Sequence, residues 1–270
     1  MTELAISNLA WDAHHDEAVA EVLREAGVRC IEIAPTKVWS KPLEAPMDAV
    51  RQYRRAWENR GLRIVALQSL LFGRLDLSVL GSPTVQRQTI DYLKGIITIA
   101  AELGAGPLVF GSPKNRRRGD MSLTDAMDRC APLFRELGDY AGSLDTCLCL
   151  EPNPPQYGCD FITTSDEAAE LVQMVDSPGF ALHLDLTCME MAGEDPAEAI
   201  HRHRSLIRHF HVSAPQLGPV RFASTTVWMR QLDEAQAEWR GIRPIVSVEM
   251  VSAPDGDPVG AVRQAVSAAA

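Results

Sequence analysis

Short apolar runs alternate with longer helical runs eight times along this chain of 270 residues, and no linker interrupts the pattern. Buried strands are predicted at 4–11, 30–35, 63–70, 107–112, 146–153, 180–187, 207–215 and 244–250. Helices are predicted at 15–26, 44–60, 83–103, 122–142, 163–175, 196–206, 229–240 and 258–269. Because neighbouring parallel strands need a long crossover, usually a helix, this alternation predicts a parallel sheet.

Eight β/α units in a chain of this length predict an α/β fold, a closed (β/α)8 TIM barrel formed as a single domain over residues 1–270. The alternative is an open doubly wound sheet. Such a sheet normally carries a glycine-rich phosphate turn after its first strand, and the segment 7–15, SNLAWDAHH, contains no glycine. We therefore expect the barrel.

The charge balance and the cysteines narrow the range of partners. A net charge of −10 disfavours nucleic acid as a partner, because nucleic-acid binding needs a basic face. No apolar run reaches the length of a membrane span, and the amino terminus lacks the pattern of a signal peptide. The six cysteines contain no CxxC pair, so we expect them to be reduced. The sequence thus predicts a cytoplasmic protein that acts on a small molecule, with no membrane and no nucleic-acid partner.

Four consecutive predicted strands in the second half each end in a residue that can bind a metal ion. They are Glu151 in LCLEPN, Asp185 in LHLDLT, His211 in HFHVSA and Glu249 in VSVEM. The carboxyl ends of barrel strands meet at one mouth, so these side chains should converge. Three buried carboxylates repel one another unless a cation neutralises them. The set predicts one divalent ion, Mn²⁺, Co²⁺, Mg²⁺ or Zn²⁺.

Three polar residues lie two positions away from a predicted ligand on the same strand and so share its face. They are His183, Asn153 and Ser213. Each is predicted either to bind the substrate or to orient a ligand.

Three more substrate-binding candidates come from the first half of the chain. Glu32 lies in the second predicted strand and Gln68 at the end of the third. Lys114, the third, lies with Asn115 and Arg116 in a basic loop after the fourth strand, where they could contact a phosphate, a carboxylate or a nucleotide-sugar tail.

Several segments of the chain resemble a known superfamily. The strongest are EPNPPQYGCDFITTSDEA at 151–168, HLDLTCM at 183–189, FHVS at 210–213 and VSVEM at 246–250. The starting ISNLAWD, IEIAPTKVW at 31–39 and FGSPKNR at 110–116 add to the likeness. The chain resembles the xylose-isomerase-like TIM-barrel superfamily over its whole length, and in particular the sugar phosphate isomerase/epimerase-type proteins.

The resemblance implies that Glu151, Asp185, His211 and Glu249 ligate the metal, and that Glu151 and Glu249 also form the acid/base pair. Such an enzyme is a metal-dependent isomerase or epimerase of a sugar or sugar-derived polyol. One carboxylate removes a proton next to a metal-bound carbonyl, giving an enediolate, and the other returns a proton. Proteins of this kind often pair, so a homodimer is one expected assembly.

The chain departs from the ketose epimerases of the superfamily at two places. Cys188 stands where they carry a histidine, and the segment with Ala214 and Gln216 lacks their acid and arginine. Other readings therefore stay open: a metal-dependent lyase of the inosose-dehydratase kind, or a sugar-binding barrel without turnover. The endonucleases of the superfamily need more histidine ligands for several zinc ions, so a phosphodiesterase is the weakest alternative.

Overall fold

The chain forms a closed barrel of eight parallel strands in a computed structural model that describes residues 3–220, 232, 244–251 and 256–269. The strands are β1 Leu4–Ser7, β2 Cys30–Ile33, β3 Arg63–Leu67, β4 Pro107–Phe110, β5 Cys147–Leu150, β6 Phe180–Asp185, β7 Ile207–Val212 and β8 Ile245–Val248. Each strand pairs in parallel with its neighbours along the chain, and β8 closes on β1. The predicted (β/α)8 barrel is confirmed, and the open sheet is not found.

The connections carry the helices. They are α1 Asp16–Glu25, α2 Pro35–Val38, α3 Met47–Asn59, α4 Pro83–Leu103, α5 Leu123–Gly142, α6 Ser165–Val175, α7 Leu186–Met191, α8 Pro196–His203 and α9 Pro258–Ala269. The helix predicted at 229–240 lies outside the described residues, apart from residue 232. Within the described ranges, no helix is long and apolar enough to cross a lipid bilayer.

Helix α4 shows how local signals set an element. The Ser82 hydroxyl accepts a hydrogen bond from the N–H of Val85 (3.4 Å), and Pro83 occupies the first turn, where no partner for its nitrogen is needed. Gly104 ends the helix with a left-handed φ of 79°, a conformation that costs glycine nothing. The predicted bounds of 83–103 match the helix.

Along each strand, side chains alternate between an outer face, which is apolar, and an inner face, which is polar near the mouth of the barrel. Register pairs Ser7 with Glu32, and Asp185 with His211, so each pair points to the same side of the sheet. The small residues Ala5 and Cys30 are also paired in register. They lie two residues before Ser7 and Glu32 on the same face, and so lower in the barrel. The barrel therefore presents polar groups at its carboxyl end.

The outward residues build the main core against the helices. Phe110 of β4 packs edge-on against Phe134 of α5 at 5.4 Å between ring centres, and Phe134 stacks on Phe180 of β6 at 4.9 Å. All three rings are almost fully buried. This layer holds the strand ends, and the site they carry, in fixed positions.

All eight strands are shorter than the sequence predicted, mainly at the carboxyl end; β5 and β8 also begin one residue later than predicted. After β1 the chain enters a tight turn at Asn8–Ala10, and after β6 it enters α7 directly at Leu186. The Ser7 hydroxyl accepts from the N–H of Leu9 (3.2 Å), a local bond that competes with continued sheet pairing. Apolar composition continued past the point where these turns begin, which is why the sequence overestimated strand length.

Candidate metal centre

The four predicted ligands lie together at the carboxyl end of the barrel. Asp185 ends β6, His211 lies near the end of β7, and Glu151 and Glu249 directly follow β5 and β8. The imidazole Nδ1 of His211 is 3.3 Å from Oε2 of Glu249 and 4.0 Å from Oε1 of Glu151. Donor atoms of Glu151, Asp185 and His211 all lie within 4.8 Å of one another. The strand order therefore brings together residues far apart in the chain.

The orientation of the His211 ring fits a metal ligand. Its Nε2 lies 2.9 Å from Oε2 of Glu32, whereas Nδ1 is buried and has no hydrogen-bond partner. Metal-binding histidines commonly hold one ring nitrogen on a carboxylate and leave the other for the ion. Burial lowers the pKa of His211, but the carboxylates of Glu32 and Glu249 outweigh it and hold this pKa well above its usual value. A positive charge is thus favoured at the point where a cation would bind.

Asp185 is fixed by two hydrogen bonds to a single oxygen. Its Oδ1 accepts from the N–H of Cys188 (2.7 Å), at the start of α7, and from the hydroxyl of Ser213 (2.9 Å). Because both bonds use Oδ1, the other carboxylate oxygen is left for a ligand. Burial, with the nearby charges of Glu151 and Glu249, raises the pKa of Asp185 to about 7. A bound cation would reverse that effect.

Glu151 has room at the mouth because Gly111, the residue directly after β4, lacks a side chain. A Cβ at Gly111 would overlap the Glu151 carboxylate and come within 3.3 Å of Oδ1 of Asn153. The Asn153 amide donates to Oε2 of Glu151 (3.0 Å) and accepts from Nη2 of Arg116 (2.8 Å). The orientation of this carboxylate is therefore set by a chain of three side chains.

A layer of buried histidines lies beneath these carboxylates. Nδ1 of His183 and Nδ1 of His209 are 3.1 Å apart, and Nε2 of His209 is 3.2 Å from the hydroxyl of Ser247. Nε2 of His183 is 3.5 Å from Oε1 of Glu151. Burial lowers the pKa of His183 and of His209 well below the usual value, so both rings are neutral.

His183, His209 and His211 each have a ring nitrogen that lies within 4.8 Å of the others. Two of these nitrogens, Nδ1 of His183 and Nδ1 of His209, contact each other directly, and one proton shared between them makes this contact a hydrogen bond. We interpret this layer as support for the ligands above it.

Four of the six predicted substrate-binding residues contact proposed ligands, and three of these four come from the second half of the chain. Asn153 contacts Glu151, Ser213 contacts Asp185, and His183 lies below Glu151. Each can orient a ligand; their roles towards a substrate stay predictions.

The other three come from the first half of the chain, and among them Glu32 contacts the proposed ligand His211. Glu32 is fully buried beneath His211. Gln68 is buried and donates from its amide to the Ser7 hydroxyl. Lys114 is exposed on its loop. Of these three residues, Glu32 has the geometry to hold the proposed ligand His211 in place.

The sequence did not predict His209 as part of this region, nor the buried position of Arg116. His209 was passed over, although it lies two residues before His211 and shares its face. Arg116 was predicted as an anion-binding candidate on a basic loop, but its burial, at 1% exposed, and its bond to Asn153 were not predicted. Strand alternation could have found His209, whereas nothing local distinguishes Arg116 from Arg117 beside it.

Comparison with known proteins agrees with the fold. Residues 20–231 match the family described as xylose isomerase-like TIM barrel. The chain belongs to this family, and the resemblance seen in its motifs is confirmed. No sequence among the curated proteins matches the chain.

Among solved structures, similar ones include 3-keto-D-glucoside 4-epimerase from E. coli, at 18% identity and a TM-score of 0.78, covering 99% of this chain and 98% of that one. D-psicose 3-epimerase from Clostridium cellulolyticum, solved with D-tagatose, has 16% identity and a TM-score of 0.75, over 99% and 91% of the two chains. A probable 3-DHS dehydratase from Bacillus anthracis has 16% identity and a TM-score of 0.69, over 98% and 97%. At these identities the likeness is one of fold.

Proposed function

We propose that the protein is a divalent-metal-dependent isomerase or epimerase that moves a proton next to the carbonyl of a sugar or sugar-derived polyol. The observation that carries this proposal is the buried Nδ1 of His211, which makes no hydrogen bond and lies 3.3 Å and 4.0 Å from carboxylate oxygens of Glu249 and Glu151 at the mouth. Membership of the family and the fold of two sugar epimerases support it.

Four residues would hold the ion: Glu151, Asp185, His211 and Glu249. The donor set of three carboxylates and one imidazole suits Mn²⁺, Co²⁺, Mg²⁺ or Zn²⁺. When bound, such an ion polarises a carbonyl oxygen as a Lewis acid. The carboxylates of Asp185 and the two glutamates would otherwise repel one another in a buried site.

Glu151 and Glu249 are the residues we assign to proton transfer. Their side chains are 12% and 11% exposed, whereas those of His183 and His211 beneath are 0% and 1% exposed, so the two carboxylates can meet a substrate. One carboxylate removes the proton from the carbon beside the carbonyl. The other delivers a proton to the enediolate. Delivery to the opposite face of the same carbon inverts its configuration, and delivery to the neighbouring carbon isomerises the sugar.

The first experiment measures metal content by mass spectrometry on protein purified without chelator. We expect about one divalent ion per chain, and its loss in the double variant Glu151→Gln/Glu249→Gln. The matched control is Glu21→Gln/Glu170→Gln, which makes the same charge change at two exposed positions. No metal uptake, even when Mn²⁺, Co²⁺ or Zn²⁺ is offered, would contradict the proposal.

The second experiment tests the chemistry on the metal-loaded protein. Ketoses and their acidic derivatives are incubated in deuterated water, and deuterium at the carbon beside the carbonyl is read by NMR. We expect incorporation by the wild type and by the control pair, and none by either single glutamine variant. Metal binding without any incorporation would leave a sugar-binding barrel.

A second candidate is a dehydratase, favoured by the likeness in fold to the probable 3-DHS dehydratase. The same first step, proton removal beside a carbonyl, would then be followed by loss of a β-hydroxyl as water. The product is a conjugated enone, which absorbs in the ultraviolet. Growth of that absorbance during turnover would assign the lyase, and its absence alongside deuterium incorporation would assign the isomerase or epimerase.

A further inference from the structure

Arg116 is a buried cation with unused hydrogen-bond donors. The residue is 1% exposed, and its bond from Nη2 goes to a neutral amide, that of Asn153. Its Nε and Nη1 are buried with no hydrogen-bond partner, and no carboxylate of the described residues forms an ion pair with it. A buried charge without a counter-charge is costly, so a partner absent from the chain itself is indicated.

The loop that carries the guanidinium is tied down at the carboxyl end of the barrel. Arg116 lies on the loop after β4, beside Asn115, whose amide donates to the carbonyls of Arg74 (2.6 Å) and Leu77 (2.9 Å). The carbonyl of Asn115 in turn accepts from the N–H of Val79 (2.9 Å). These bonds tie the loop to the segment after β3. Donors fixed in advance in this way bind a ligand with little ordering cost.

Asn153 joins Arg116 to the proposed metal centre. Its amide oxygen accepts from Arg116 and its amide nitrogen donates to Glu151, so the guanidinium lies one side chain away from a proposed proton-transfer group. An anionic substrate would be repelled by the carboxylates at the mouth. A metal ion and the charge of Arg116 together offset that repulsion.

We propose that Arg116 binds an anionic group of the substrate, a carboxylate or a phosphate, and that the substrate is therefore an acidic derivative of a sugar. The part of this inference that makes the substrate a sugar rests on the proposed function. The planar fork of a guanidinium matches the paired oxygens of either anion. A neutral hydroxyl could accept hydrogen bonds from the free donors but would leave the charge uncompensated.

The neighbouring cations of the loop do not have this setting. Lys114 and Arg117 are both exposed, and water can solvate their charges. Arg117 therefore offers a matched control: the same side chain, one residue along, without burial.

The test is isothermal titration calorimetry on metal-loaded protein with three probes: D-fructose, D-fructose 6-phosphate and 2-keto-D-gluconate. Wild type, Arg116→Met, Arg116→Lys and Arg117→Met are compared. We expect one of the two anionic sugars to bind the wild type more tightly than D-fructose does. Arg116→Met should weaken that binding about 10- to 100-fold, Arg116→Lys less, and Arg117→Met not at all. Affinity for D-fructose should not change.

The preferred probe identifies the anion, since a phosphate-binding site favours the sugar phosphate and a carboxylate-binding site the keto acid. Thermal melting shows whether each variant folds. If Arg116→Met does not fold, Arg116→Lys still tests the inference. Equal affinity of the wild type and both Arg116 variants for both anions, including no binding by either, would overturn the inference. Deuterium incorporation into D-fructose would then still support the proposed function. Conversely, if anion binding depends on Arg116 but the protein turns over none of the sugars, the proposed function is contradicted and the anion site is supported.

Discussion

Nε2 of His211 lies 2.9 Å from Oε2 of Glu32, in a contact that joins the mouth of the barrel to its buried interior. Glu32 is fully buried, and its other oxygen, Oε1, has no hydrogen-bond partner and lies 3.8 Å from Nε2 of the neutral His209. The carboxylate is thus committed to one imidazole. This bond fixes the ring so that Nδ1 faces Glu249.

Replacing Glu32 by glutamine should therefore weaken metal binding without removing a ligand. The amide keeps the shape but loses the charge that holds His211, and losses of about 10- to 100-fold are typical of such contacts. Metal affinity is measured by competition with a fluorescent chelator. The control is Glu21→Gln, the same change at an exposed position. Unchanged affinity in Glu32→Gln would show that the bond does not orient the ligand.

The barrel and the four proposed ligands could be predicted because both follow from periodicity. Parallel strands must return their carboxyl ends to one face, so a polar residue at four consecutive strand ends is placed by topology alone. His211 and Asp185 needed no further information than their position in β7 and β6.

Two contacts in the support around the ligands could not be predicted in the same way. The bond from Glu32 to His211 crosses the barrel interior between strands that are not neighbours, and sequence spacing carries no record of it. The burial of Arg116 depends on how two loops pack, which short-range patterns do not determine. These contacts had to come from the three-dimensional structure.

Gly111→Ala should disturb the site through Glu151. The added methyl would overlap the Glu151 carboxylate, which must then move away from its present position. We expect metal affinity and deuterium incorporation to fall by about tenfold or more, with only a small change in melting temperature, since the carboxylate is at the open mouth. Gly106→Ala is the matched control, because a Cβ there meets no atom within 4 Å.

If both glycine variants lose activity equally, the effect is one of backbone stiffness or strand packing. A fall in activity at Gly111 alone assigns it to the carboxylate. Unchanged activity in Gly111→Ala would mean that the position of Glu151 is not critical to the reaction.

Ser213→Ala should lower metal affinity through Asp185. The serine hydroxyl donates to Oδ1 of Asp185 (2.9 Å), and hydrogen bonds to charged groups contribute about 1.5–3 kcal/mol. We expect metal affinity to fall about tenfold while the fold is kept, because the N–H of Cys188 still holds the same oxygen. Calorimetric titration with Mn²⁺ measures it. Ser205→Ala, an exposed serine in the loop before β7, is the control and should bind the metal as the wild type does.

The pKa of Asp185 gives the metal-free protein a specific dependence on pH. Burial, with Glu151 and Glu249, raises this pKa to about 7, above the unfolded value of about 3.9. Between these values the folded chain holds the proton and the unfolded chain does not. The contribution of Asp185 to stability is therefore complete below about pH 4 and is lost as the pH rises towards about 7.

Urea denaturation of chelator-treated protein across this range measures the effect. Relative to Asp185→Asn, the wild type should lose about 1–4 kcal/mol between about pH 4 and pH 7, at about 1.4 kcal/mol for each pKa unit. Excess Mn²⁺ should restore stability above about pH 7 and have less effect at lower pH, because the ion and the proton compete for the same carboxylate. Parallel pH profiles for the wild type and Asp185→Asn would show that Asp185 does not hold the proton in the folded chain.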